Sequence, residues 1–432
     1  MHPLLRFLAG FLLIHAGWTP AAATGAASGL VSGAATGAAT VGSALGAAPS
    51  ALVSPLPVAA TCVAPGAPSA QAAALAAASA RVLAGLPPIG VHGRELSATP
   101  FWATHAAEMN QVWRRVNAGP LALWRDFALR EIDRLEGARA ALYYPFSGPD
   151  FVYAHTLFPY APLYVLVGLE PPGAAPRWDA MTEAQAGASL GQLRQSMASL
   201  MRLSFFLTNN MKRDLKRGQL QGVAPLLMAM AARSGFDVHA VDAVHLNAAG
   251  ALCMGALTGA RTNGVRLLLA APAGSAGMPP PRELVYLNVD LEDKALVNTP
   301  GFERYVRSLG AGPVFLKSAS YLMHKNYFSA SRKLVLERAK LVLQDDSGIP
   351  YRAYQPAEWH GRLYGSYAQP IGMFKNWSQP ALRAAYQARA LPLDTGIGYS
   401  HRRGTSNLQL FERRALTVAA RAAILTQKVP VR

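Results

Sequence analysis

The 432-residue chain is poor in cysteine, acidic residues and long apolar runs, and each shortage removes a class of protein. Two cysteines, Cys62 and Cys253, cannot build the disulfide framework of a small secreted scaffold, and composition leaves open whether they pair. Thr precedes Cys62, which makes it a poor lipid-attachment signal. There is no H-E-x-x-H, His-rich tract or paired-cysteine motif, so no metal site is expected. His239 and His245 share one face of an expected strand, but six residues of strand hold them about 20 Å apart, too far to share an ion. No charged residue occurs from Thr24 to Ala80, where Ala, Gly, Ser, Thr, Val and Pro dominate. Side chains this small bury too little surface to offset backbone ordering, so the reading is a disordered spacer over 24–97.

The formal net charge is +17, from 41 Lys and Arg against 24 Asp and Glu. From Ser400 to Arg432 seven basic residues face one acid, Glu412. Such a balance leaves association with an anionic cell envelope open. The basic residues are otherwise scattered, and Ala, Gly, Pro and Arg are all enriched, which argues against nucleic-acid binding. The basic helical face of Lys212, Arg213, Lys216 and Arg217 reads as solvent-exposed. At the N-terminus Arg6 precedes an apolar run from Phe7 to Trp18 and then Ala21, Ala22 and Ala23, the layout of a signal peptide over 1–23. That run is well short of the roughly 20 apolar residues that span a bilayer. Export to the periplasm or medium is expected, with no membrane span after cleavage.

A single α/β domain is expected over 98–425, with a tail at 426–432. It begins with a helix pair. In "TPFWATHAAEMNQVWRRVNAG" apolar residues recur at helical spacing, with Thr99 as N-cap; "PLALWRDFALREIDRLEG" runs from Pro120 to a terminating Gly137, and the two are expected to pack antiparallel. The period then changes to short apolar runs at Ala141–Phe146, Leu163–Leu169, Val238–Leu246, Val265–Ala271, Leu284–Leu291, Val314–Leu316 and Leu341–Leu343. Helical stretches intervene at Glu183–Leu207, Val223–Ser234, Pro300–Leu309 and Ser329–Lys340. This alternation predicts a mixed, mostly parallel sheet with helices on both faces, Rossmann-like, and the helix-free stretch from Val238 to Leu291 predicts an antiparallel extension.

Four polar turns follow expected strands, and α/β folds present ligands at strand carboxyl ends. In "YYPFSGPDF" the candidates are Ser147, Gly148 and Asp150; in "GLEPPG", Glu170; in "LKSASYLMH", Lys317 and Ser318; in "QDDSGIPYR", Asp345 and Asp346. Each has a structural role available. Ser147 or Asp150 would cap the next helix, as would Ser318 and Ser320; Lys317 would neutralise a carboxylate such as Glu170; Asp345 and Asp346 would shape an Asx-turn. Adjacent residues on a strand point to opposite faces, so only one of the two Asp is expected in a given site. As a nucleophile, Ser147 would need small neighbours in its turn, where Pro145 and Pro149 stand. Trp359, Tyr364 and Tyr367, near Gly361 and Gly365, suit a hairpin or a loop over a site.

In coarse layout the strand, Gly148 turn, helix and second strand ending in Glu170 resemble the start of the Rossmann-like methyltransferase fold. There the acid after the second strand meets a ribose, a role the resemblance assigns to Glu170. The chain departs in having one glycine in the loop and Pro149 in place of a backbone donor. The four turn motifs together also resemble elements of a family of exported bacterial proteins of unknown function. Nucleotide and sulfonium cofactors stay inside cells, so none is expected for an exported chain. The primary expectation is a protein binding a polar small molecule or glycan fragment in a cleft at the strand ends. The alternatives are a cofactor-free hydrolase with an Asp or Glu base and Lys317 stabilising negative charge, and a degenerate Rossmann-like methyltransferase.

Overall fold

The computed structural model describes residues 62–90, 93–203, 220–257, 262–272, 280–399 and 404–415. The expected signal peptide, most of the spacer, the Lys212–Arg217 basic face and the tail lie outside the described residues.

Ten strands form one mixed sheet: β1 Leu142–Tyr144, β2 Leu163–Gly168, β3 Asp237–Leu246, β4 Leu252–Met254, β5 Asn263–Ala270, β6 Arg282–Asn288, β7 Gly312–Leu316, β8 Ala339–Gln344, β9 Trp359–Gly365 and β10 Asn407–Arg413. Their order is β4-β3-β5-β6-β2-β1-β7-β8-β10-β9. The expectation of a mostly parallel sheet needs correction. Only β6-β2-β1-β7-β8 is parallel, four of the nine neighbouring pairs, and both flanks are antiparallel. The β3–β5–β6 flank follows the helix-free stretch that predicted it. The other flank is closed by β9, in the stretch whose composition suited a hairpin, and by β10, a strand not expected from sequence.

Side chains of the parallel strands alternate between two cores, as the strand period requires. Tyr144, Tyr164, Leu166 and Phe315 face one core and Tyr143, Val165, Val167 and Val314 the other; all are at most 1% exposed. The first core is covered by α4 (Pro120–Phe127), α5 (Phe151–Leu157) and α7 (Ala224–Arg233), the second by α9 (Pro300–Ser308) and α10 (Ser329–Arg338). Each fully buried Val, Leu or Phe contributes about 1.5–3 kcal/mol of transfer energy, which is why these short strands hold the centre.

The spacer expectation over 24–97 also needs correction at its end. Ala70–Leu83 forms helix α1, capped by Ser69, with Ala80, Val82 and Leu83 fully buried. Alanine is the best helix former and small enough for close packing, so larger neighbours supply the core it cannot. Arg233 Nε donates to Ala84 O at 2.6 Å and Trp178 Nε1 to Ser79 Oγ at 2.9 Å, tying the carboxyl-terminal half of α1 to the body. Cys62 is bonded to Cys253 of β4, and Met254 N donates to Val63 O at 2.7 Å, so residues 62–63 lie along the sheet edge. The bond fits an oxidising compartment. Among the described residues no helix is long and apolar enough to cross a membrane.

The short α2 (Arg94–Ser97) leads into the expected helix pair, α3 Pro100–Ala118 and α4, which meet at Gly119. The second helix leaves the α form at Phe127 and continues as one π-helical turn, Ala128–Ile132, rather than running to Gly137. The remaining helices are α6 Glu183–Leu203, α8 Asp293–Leu296 and α11 Pro380–Arg389.

Candidate functional site at the β1–β7 crossover

Within the parallel set the chain builds outward from β1 in one direction through β2 and β6, then returns to build through β7 and β8 in the other. The loops leaving β1 and β7 therefore diverge, and a crevice opens at their carboxyl ends.

The β1 loop is stapled down by its own polar groups. Ser147 N donates to Val167 O at 2.9 Å, and Val167 N donates to Ser147 Oγ at 3.0 Å, so Ser147 fastens the loop to β2. Asp150 caps α5: its Oδ1 accepts from Tyr153 N at 3.4 Å, and its Oδ2 accepts from the Tyr144 hydroxyl at 2.9 Å. Gly148 adopts φ +54° and crowds Gly168, where a Cβ would lie 3.1 Å from Gly148 Cα and 2.4 Å from Glu170 Oε2. Glycine is needed at both positions for this approach. Glu170 is 2% exposed, and its Oε2 accepts from the Tyr286 hydroxyl at 3.0 Å.

The β7 loop carries backbone strain. Ser318, Ser320 and Tyr321 have φ of +52°, +54° and +53°, and Phe146 in the β1 loop has φ +60°. These four are all the left-handed non-glycine residues among the described residues, and they lie in the two loops that bound the crevice. Such conformations cost on the order of 1–3 kcal/mol each and cluster where a site over-determines its backbone. Asp345 holds the loop from behind, its Oδ2 accepting from Ser318 N at 2.8 Å and its Oδ1 from Ser347 N at 3.0 Å, the expected Asx-turn. Ser318 and Ser320 cap no helix; Ser320 Oγ meets the Tyr399 hydroxyl at 2.7 Å, and Tyr399 donates to Ser318 O at 2.9 Å.

Lys317 pairs with Asp150, not Glu170. Its Nζ is 2.5 Å from Asp150 Oδ2, with both side chains 2% exposed, and lies 3.7 Å from the centre of the Tyr153 ring. The ammonium is thus held between a carboxylate and an aromatic face. Burial pulls the Lys317 pKa below its ordinary value, and the charge of Asp150 opposes that fall. Burial, then repulsion from Asp346, pushes Asp345 up to about 7, against the bonds from Ser347 and Ser318. Asp346 is raised by burial too, and is held by the Tyr321 hydroxyl and by Asn407 Nδ2 at 2.8 Å.

Ser147, Gly148, Asp150, Glu170, Lys317 and Ser318 line one cavity of about 60 Å³ together with Tyr144, Phe146, Ser320 and Tyr399. Asp345 stands behind its wall and Asp346 one residue further off. Tyr399 was not singled out from sequence; it reaches the cavity from the loop before β10, far along the chain, and only its neighbour Gly398, at φ +68°, hints at a tight approach. Trp359, Tyr364 and Tyr367 are buried packing residues, not a cover. Among the described residues no cluster could hold a metal ion.

A larger hollow of about 1020 Å³ lies between α1, α2, α6 and β3, lined by Trp178, Glu95, Asp179, Glu183 and Asp242 among others. Two of its four acids, Asp179 and Asp242, are already paired, with Arg177 and Arg266, and the hollow holds none of the left-handed non-glycine residues. The crossover is therefore the stronger candidate. Compared with known proteins, the chain matches no family model, no curated protein and no solved structure.

Proposed function

We propose that the protein binds a polar small molecule through the crevice between the β1 and β7 loops, in an exported setting. The observation that carries this reading is the coincidence of a buried, unsatisfied polar group with concentrated strain. Ser318 Oγ lacks a hydrogen-bond partner in the very loop that holds three of the four left-handed residues. A buried orphan costs about 1–3 kcal/mol, so a ligand group that meets it gains that much on entry.

The order of the parallel strands supports a doubly wound, Rossmann-like centre, with the crevice at its switch point. The cavity holds about two waters' volume, at roughly 30 Å³ each, so it takes a polar head such as a hydroxyl pair or carboxylate. A sugar ring or glycan fragment would rest above it, against Tyr399. Calorimetric titration of the full-length protein with small polyols, hydroxy acids and monosaccharides tests this. Saturable binding lost in the Glu170→Ala, Ser318→Ala double variant supports it; no heat from any compound, or binding unchanged in that variant, removes it.

A degenerate methyltransferase is the second reading, favoured by Glu170 following the second parallel strand. Against it, Glu170 Oε2 is engaged by Tyr286 and the cavity is too small for a nucleoside. Titration with the sulfonium cofactor distinguishes the two.

A further inference from the structure

We propose that Lys317 and Asp150 condense into an intramolecular amide that bolts the β1 loop to the end of β7. The two side chains are already in contact, Nζ to Oδ2 at 2.5 Å, and both are sealed from water. A contact held this way supplies the proximity that makes an otherwise slow condensation effectively unimolecular. The surroundings favour the product: a buried ion pair bears a desolvation cost that a neutral amide does not, and the pocket walls are the Tyr153 ring below Nζ and the Tyr144–Phe315 pair, with ring centres 4.5 Å apart.

The side chains around Asp150 divide the work between its oxygens. Oδ2 receives the Tyr144 hydroxyl and faces the ammonium, so it is the oxygen that leaves; Oδ1 faces Tyr153 N and becomes the amide oxygen. Proton transfer within the pair gives a neutral amine and a carboxylic acid, a step helped by the burial that depresses the Lys317 pKa. The bond from Nζ to Asp150 Cγ forms and the bond from Cγ to Oδ2 breaks. Two of the three ammonium protons depart with Oδ2 as water, and the third stays on the amide nitrogen. No oxidant, reductant or cofactor enters the balance. One positive and one negative charge vanish together, so the net charge of the cavity floor is unchanged and the crosslink stands independently of any ligand.

Intact-mass spectrometry of the reduced, denatured full-length protein tests this, with its termini fixed by peptide mapping. The wild type is expected about 18 Da lighter than its sequence, the mass of one water, and Lys317→Arg and Asp150→Ala are expected at full mass. Trypsin should leave Ser308–Lys325 uncut at Lys317 and joined to the peptide bearing Asp150. A wild type at full mass with Lys317 cleaved overturns the proposal, as does a deficit that fragmentation places on another acid. The wild-type measurement decides even if both variants fail to fold.

Discussion

The parallel centre of the sheet and its antiparallel flanks are built on different terms. The centre is covered on both faces, its strands are three to seven residues long, and the candidate polar residues sit in the loops at the strand carboxyl ends, while Arg338 donates to Pro313 O and Ala141 O at the other end. The β3–β4 flank has a longer strand with polar and half-exposed positions, and is braced by chemistry rather than depth. The Cys62–Cys253 bond holds the edge, and Arg266, 5% exposed, bridges Asp242 and Glu283 at 2.8 Å each. Burial carries the centre, and the polar groups in its loops fasten those loops to the strand ends, Ser147 to β2 and Asp345 to the β7 turn. On the flank polar and ionic contacts join one strand to the next.

The contrast predicts a graded response to damage. Phe315→Ala, which empties a site between Tyr144 and Phe158, should cost about 3–5 kcal/mol in urea unfolding. Replacing both cysteines by serine should cost less, about 2–4 kcal/mol, because α1 keeps its own packing and only residues 62–69 come loose. A larger loss from the cysteines than from Phe315 would reverse the comparison.

Protonation divides the buried titratable groups into two kinds. His105, His155 and His324 have pKa values pressed by burial to about 4, 3 and 4, so each is neutral when folded. Their contribution is complete above the unfolded value of 6.5 and is lost as pH falls. Asp345 runs the other way: its pKa is raised to about 7 from 3.8, so its contribution is complete below 3.8 and is lost as pH rises through 7. Asp345→Asn should therefore make stability climb more steeply between pH 4 and 7, read from denaturation midpoints at each pH. An unchanged slope would mean that the Asp345–Asp346 pair does not hold its proton.

The same division governed what the sequence could reveal. Strands buried on both faces read as unbroken apolar runs, so Leu163–Leu169, Val314–Leu316 and Leu341–Leu343 stood out, though β7 and β8 each extend beyond the run that marked them. In β9, "WHGRLYG", polar residues and glycines interrupt the apolar ones; β10 lies beyond a long irregular stretch, and β4 is only three residues long. Polar turn residues directly after legible strands were legible too, which is why six of the eight candidates meet at one cavity. Tyr399 and the partnership of Lys317 with Asp150 depend on which strand lies beside which. A local pattern does not carry that order.

Ser318 offers the most direct test of the central claim, that the crossover keeps strain and unmet polarity for a ligand and not for the fold. Its hydroxyl has no partner and its φ is +52°, so Ser318→Gly removes strain without breaking a side-chain hydrogen bond. Chemical denaturation should find the variant as stable as wild type or up to about 1 kcal/mol more stable. A clear loss of stability would contradict the account, because the serine would then be serving the architecture itself.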